Sequence, residues 1–177
     1  MTDARHDLRS FALEVYRCDG VAQAAVLLQD RCGVDVNVLL LAAYVGAVKE
    51  ASFTADDVAA VHTRAQPWQR DVVAPLRAVR TLLKSGPPPA PNDATAGLRE
   101  AVKAVELEAE LIELDDLAAF AARPGAPAAP GRAVERAAAA MVAVIEHGRG
   151  RGSSDDERAA VAVIASAAAR SAAGVDA

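Results

Sequence analysis

Val36-Asn37-Val38-Leu39-Leu40-Leu41-Ala42-Ala43-Tyr44-Val45-Gly46-Ala47-Val48 is the most apolar run of the chain. It is apolar at nearly every position, so a helix built on it has no polar face and must be surrounded by other helices. It is also too short to cross a bilayer, which takes roughly 20 consecutive apolar residues. Asp35 stands before it as an N-cap, and Gly33 sits where a left-handed terminator of a preceding helix belongs. The run is therefore expected to be the central helix of an all-α protein.

Amphipathic helices flank it on both sides in sequence. Leu8, Phe11, Ala12 and Val15 fall at i, i+3, i+4 and i+7, on one face of a helix begun near Asp7. That helix ends before Cys18-Asp19-Gly20, where Asp19 is expected to cap a second helix striped by Val21, Ala24, Ala25 and Leu28. After the central helix, Thr54 with Asp57 reads as a capping box opening a fourth helix, Ala55 to about Ala65. Pro67 suits the first turn of a fifth helix running to Lys84. On it Trp68, Val72, Leu76, Val79 and Leu83 share one face, and Arg70, Arg77, Arg80 and Lys84 the other. Pro75 lacks a backbone N–H and is expected to kink this helix.

The Pro-rich connection at 85–93 cannot continue a helix. A sixth helix follows from about Thr95 to Ala122, then a Pro/Gly/Ala linker at 123–131 and a seventh helix from about Arg132 to His147. Gly148-Arg149-Gly150-Arg151-Gly152 breaks the chain as a flexible turn, and Ser154 with Glu157 boxes the start of an eighth helix ending near Gly174. Strand alternation and internal repeats are missing. The expected architecture is an irregular, mostly antiparallel bundle of six to eight helices. Residues 1–122 form the core domain, and 132–177 are an Ala-rich helical pair packed on it or appended to it.

Composition narrows the function classes. The 177 residues are 53% hydrophobic but only 3% aromatic, which suits close packing of small aliphatic side chains between helices. A net charge of −5 leaves no basic surplus for a phosphate backbone, so nucleic acid is not an expected partner. Cys18 and Cys32 form no CxxC motif and read as buried thiols of a reducing compartment. Met1 to Ser10 carries no apolar signal core, so the cytoplasm is the expected location and no membrane the expected partner.

The sharpest candidate for chemistry is on the sixth helix. Glu106, Glu110 and Glu113 stack at i, i+4 and i+7, where like charges repel unless cations face them. The strip runs between two apolar stripes, Leu98-Val102-Val105-Ala109-Ile112 and Leu107-Leu111-Leu114-Ala118. If the fifth helix folds back across the Pro-rich connection, Arg77 and Arg80 meet Glu106 and Glu110 as planar, bidentate partners. A ligand site and a solvated face are the competing readings of the strip.

A second candidate is the polar cluster Gln29, Asp30, Asp35 and Asn37 at the turn before the central helix. It could orient a small molecule in a pocket. It is more simply explained by Asp35 capping that helix while the other three satisfy exposed helix ends. Trp68 is expected in the core, with a partner anchor as the alternative.

Other chemistries lack their residues. A carboxylate-bridged metal pair needs Glu-x-x-His on two helices, and neither His6, His62 nor His147 has a Glu three residues before it. No metal or other cofactor is expected. Nothing resembles a nucleophile elbow or a phosphate loop, so no catalytic residue is assigned. A helix-turn-helix reading fails because the second helix offers almost nothing to phosphates or base edges.

Phe11-Ala12-Leu13 with Tyr16, Gly20-Val21-Ala22, Leu28-Gln29-Asp30, Gly33-Val34-Asp35-Val36-Asn37 and Leu39-Leu40-Leu41 form a recognisable set. So do Trp68, Pro75-Leu76-Arg77, Arg80, Leu83-Lys84 and Glu106-Leu107-Glu108-Ala109-Glu110. Over about residues 8–118 the chain resembles a small proteobacterial family, domain of unknown function 2390. One departure is Tyr44, where the resemblance leads to a second tryptophan. The resemblance implies a bacterial cytosolic helical protein and carries no activity or cofactor with it. The functional expectation is a protein-interaction or regulatory adaptor that binds a protein partner or itself, since a two-sided sixth helix needs a second cover. The alternative is a small-molecule binder or enzyme with a pocket near Asn37, Trp68, Arg77 and Glu106.

Overall fold

The computed structural model describes residues 7–123, 127, 130–147, 149 and 151–174. Eight α-helices follow one another: α1 (Leu8–Arg17), α2 (Val21–Cys32), α3 (Val36–Ala47), α4 (Ala55–Trp68), α5 (Ala74–Ser85), α6 (Asp93–Ala121), α7 (Ala133–Glu146) and α8 (Asp155–Ala172). Among the described residues the only β pairing is an isolated bridge between Ala51 and Pro127. The architecture is an all-α helical bundle. No helix among the described residues is long and apolar enough to cross a membrane. Of the expected linker at 123–131, residues 124–126 and 128–129 lie outside the described set, as do 1–6 of the N-terminal segment and 148 and 150 of the Gly-Arg turn.

The local rules account for most helix starts. Asp7 caps α1 by accepting from Ser10 N, Asp35 caps α3 through Asn37 N, and Thr54–Asp57 and Ser154–Glu157 form full capping boxes. A further box, Asn92–Thr95, opens α6 two residues earlier than expected. One cap is corrected: α2 starts from Gly20 at φ +80, not from Asp19. The chain reverses so tightly between α1 and α2 that it needs the left-handed conformation, which glycine adopts without steric cost.

α3 is the centre of the bundle. Every residue from Asn37 to Ala47 is buried. α1, α6, α7 and α8 surround it, and α7 makes the most extensive contact. That contact brings backbone against backbone: a Cβ on Gly46 would lie 2.6 Å from Arg136 O and 2.7 Å from Ala137 N. The Arg136 guanidinium closes the crossing by donating to Gly46 O. Met141 and Ile145 of α7 and Ile164 and Ala165 of α8 belong to the same apolar core as Leu39 and Leu41. Arg149 and Arg151, expected in a flexible turn, instead both donate to the buried Glu157 carboxylate at the start of α8. Cys18 is buried, Cys32 is half-buried, and both are free thiols.

The α4–α5 region departs from the sequence expectation in an instructive way. Pro67 does not open a new helix but lies inside α4, which runs on to Trp68. The irregularity demanded by Pro75 falls just before it, as a π turn over Gln69–Val73 in which Ala74 N–H reaches back to Gln69 O. Widening the turn accommodates a residue that cannot donate to the ladder, so one irregular rod replaces the two helices expected. Beyond the π turn the rod leaves the bundle. α5 has no buried residue, and it packs chiefly on α6 and the π turn.

Candidate functional site

α6 is where the polar chemistry collects. Its buried positions begin only at Glu106, so its first three turns pair with α5 as a projecting hairpin while its second half enters the core through Leu114, Leu117 and Ala121. At the junction, Glu106 and Glu113 are 5% and 3% exposed, values that buried carboxylates reach only when partnered.

Glu106 is gripped by two arginines. Arg77 Nε donates to its Oε1 at 3.0 Å, and Arg80 donates to both of its oxygens. Arg77 also reaches Glu110 Oε1 at 2.7 Å. The fold-back of the fifth helix thus places the expected cations on the glutamate strip, although Arg80 serves Glu106 alone. Burial disfavours ionisation of Glu106, but the hydrogen bonds from Arg80 and Arg77 outweigh it and hold the carboxyl below its usual range. Glu110, with one arginine instead of two, is pushed up by burial more than Arg77 pulls it down.

Glu113 has no ion-pair partner among the described residues. Its Oε2 accepts from Asn37 Nδ2 and Gln69 Nε2, both at 2.7 Å. Asn37 also donates to Glu110 O, so this side chain does not close a helix end as expected but ties α3 to α6. Asp35, the cap of α3, lies within hydrogen-bond reach of Glu113. Burial and the negative charge of Asp35 raise the Glu113 carboxyl from 4.5 to about 7. Asp35 is itself raised by burial, against the pull of the Asn37 and Val38 backbone N–H groups.

Trp68 is half-buried at the end of α4 rather than a core residue of α5, and its Nε1–H donates to Ala109 O at 3.0 Å. It caps the same junction from the other side.

Two clefts flank this polar wall. One, of about 550 Å³, is lined by Asn37, Arg77, Arg80, Glu106 and Glu110 with Tyr16, Arg17, Leu40 and Leu107. The other, of about 430 Å³, is lined by Cys32, His62, Arg70 and His147. Gln29, Asp35, Gln69 and Arg77 border both. Asp30 is exposed and lines neither cleft, and neither do Trp68 and Glu113. Among the described residues no group of three or more His, Cys, Asp or Glu is placed to hold a metal ion. Nothing in the sequence marks Gln69 as part of this junction. A glutamine beside a tryptophan gives no signal of where it donates.

The molecule is thus a helical bundle that gathers an arginine–glutamate clamp and a carboxyl pair at one helix junction. The chain belongs to the family described as Protein of unknown function (DUF2390), whose model matches residues 7–117. The match spans α1 to α5 and most of α6, including every residue of the clamp, and excludes α7 and α8. No curated protein and no solved structure matches the chain.

Proposed function

We propose that the protein is a cytosolic interaction module whose α5–α6 hairpin presents an apolar strip to a protein partner or to a second copy of the chain. The observation that carries this reading is the distribution of exposed large apolar side chains. Of nine among the described residues, six are on α5 and α6. Leu98, Val105 and Ile112, each about half exposed, recur every seven residues and so share one face of α6. Val79 and Leu82 of α5 are exposed at 44% and 57%.

Helical geometry puts them on one edge of the hairpin. Arg77 meets Glu110 on one edge; Val79, two residues on, is about 200° round the helix and faces the other. Val105 stands in the same relation to Leu107, which lines the larger cleft. Clustered apolar surface of this kind marks interaction sites, whereas scattered exposed apolar residues do not. The clamp supplies the rigidity: with Glu106 ion-paired, the hairpin projects as one body.

A photo-crosslinking residue at Val105 of the full-length protein, expressed in its own host, is expected to yield one discrete adduct. The same probe at Glu100, off the strip, is expected to yield none. A protein that stays monomeric at every concentration and gives no strip-specific adduct refutes the reading.

A second reading has its own observation. Tyr16 of α1, Val26 of α2 and Leu107 on the opposite edge of the hairpin, all exposed, rim the larger cleft, where Arg17 has no ion-pair partner among the described residues. That lining suits a small amphipathic anion. Native mass spectrometry separates the two: an added mass of a few hundred daltons supports the cleft, a bare dimer or protein complex the strip.

A further inference from the structure

The junction of α3, the π turn and α6 leaves two oxygen atoms unaccounted for. Asp35 Oδ1 accepts from Asn37 N at 2.8 Å, and Glu113 Oε2 accepts from Asn37 and Gln69. The remaining oxygens, Asp35 Oδ2 and Glu113 Oε1, are enclosed and receive no donor among the described residues. Arg77 is near, but it donates from Nε to Glu106 and from Nη2 to Glu110 and makes no hydrogen bond to either of these oxygens. The two carboxyls lie within hydrogen-bond reach of each other, and a hydrogen carried by one and donated to the other satisfies both.

We propose that Asp35 and Glu113 hold a single proton between them, and that its release loosens the joint among α3, the π turn and α6.

Bound, the proton completes a continuous chain of hydrogen bonds from the α3 cap through Glu113 to Gln69. Released to solvent as a hydronium, with no other bond formed or broken, it leaves two negative carboxylates in contact, with no cation among the described residues hydrogen-bonded to either. The pull of burial and of the neighbouring charge on Glu113 sets the release near pH 7, where cells can use it. The other charged groups around the pair are Glu110 on α6, Arg77 on α5, Arg70 in the π turn and His62 on α4. His147 beyond α7, Cys32 on α2, Tyr16 and Arg17 on α1, Arg80 on α5 and Lys103 and Glu106 on α6 complete the set that lines the two clefts. Of these only Arg77 faces the pair as a cation, and it is already shared between two glutamates.

The protein carries its own reporter. Trp68, the single tryptophan, precedes Gln69 and donates to Ala109 O, one turn before Glu113. The test is to follow Trp68 emission and urea unfolding of the full chain from about pH 5.5 to 8.5, a range that brackets the ordinary histidine pKa. Wild type, Glu113→Gln and Asp35→Asn are compared.

In wild type the native state holds a proton that the unfolded chain releases. The unfolding equilibrium constant is therefore expected to rise roughly tenfold per pH unit up to about 7 and then level off, with a Trp68 shift at the same midpoint. Glu113→Gln reproduces the protonated form, since its amide donates to Asp35 while its oxygen still accepts from Asn37 and Gln69. It is expected to abolish both changes and to exceed wild type in stability above the midpoint. Asp35→Asn retains an N-cap oxygen and donates to Glu113, and it is expected to flatten the same profile. Both variants leave His62 and His147 in place. A wild-type midpoint in both variants, or a Glu113→Gln protein less stable than wild type at every pH or unable to fold, overturns the proposal.

Discussion

Replacing Gly46 with alanine tests the arrangement on which everything else hangs, the crossing of α3 and α7. In an isolated helix the change stabilises by about 1 kcal/mol, because glycine loses more backbone freedom on folding. Here the new Cβ would lie 2.6 Å from Arg136 O, and α7 must withdraw by roughly 0.8 Å to reach the 3.4 Å at which ordinary contact begins. A gap of that size forfeits about a quarter to a half of the dispersion attraction across the seam. The obstacle is backbone, which has no rotamer to change, so the cost belongs near the top of the ~1–3 kcal/mol typical of overpacking. The net expectation is a loss of about 2 kcal/mol, or roughly 4–8 °C in Tm for a chain of this length. Thermal and urea unfolding followed by circular dichroism measure it. A Gly46→Ala protein as stable as wild type or more so refutes the close crossing, and with it the placement of α7 over the central helix.

Three further outcomes follow from the packing and the clamp. Glu106→Gln strips the anion from two partly enclosed arginines and is expected to cost about 2 kcal/mol in urea unfolding, below the ~3–5 kcal/mol of a fully buried pair because Arg77 and Arg80 keep some contact with water. Because the Glu106 carboxyl is held below its usual value, its contribution is present above pH 4.5 and lost as pH falls through the folded value. The gap between Glu106→Gln and wild type is therefore expected to close in acid; a gap constant with pH contradicts the ion pair. A chain ending at Ala122 lacks α7 and bares Leu39, Leu41 and Val45, so it is expected to bind a hydrophobic dye and scatter light; cooperative unfolding as a monomer would show α7 to be dispensable. Val105→Glu is expected to leave the Tm within about 1–2 °C of wild type, since surface substitutions cost less than ~0.5 kcal/mol, while removing the strip-specific adduct; a large fall in Tm would place Val105 inside the fold.

The parts of this fold legible in the sequence are those set by near neighbours along the chain. Caps at Asp7, Asp35, Thr54 and Ser154 and the left-handed Gly33 depend on residues within a turn of one another, and the structure has them all. The all-round burial of α3 follows from composition alone. Proline was harder: Pro67 and Pro75 each permit a break, and only the packing of the rod selects a π turn before the second. The arginine–glutamate clamp was readable because both halves are periodic and one short Pro-rich connection joins them. The Asp35–Glu113 contact was not, because it joins a helix cap to the middle of a helix far along the chain, through α3 on one side and the π turn on the other. No spacing rule spans that distance.

α6 makes the physical logic of the molecule plain, because its three faces answer to three different constraints. Leu114 and Leu117 enter a core that α7 and α8 complete, which gives the helix a fixed base. Glu106, Glu110 and Glu113 form a polar seam, and along it the partners change from two arginines, to one, to none. The raising of the carboxyls follows the same order: Glu106 is held down, Glu110 is raised, and Glu113 is raised to about 7. A strip of like charges that only anchored a hairpin would gain most from a cation at every step. Its inner end instead meets another carboxyl, and an arrangement of that kind costs stability unless a proton is held there. The third face, Leu98 to Ile112, stands on the hairpin whose root contains that proton site. A change of charge at Glu113 therefore acts at the base of the apolar strip, and the two halves of the proposal meet in one measurable quantity: adduct formation at Val105 is expected to depend on pH in wild type and to lose that dependence in Glu113→Gln.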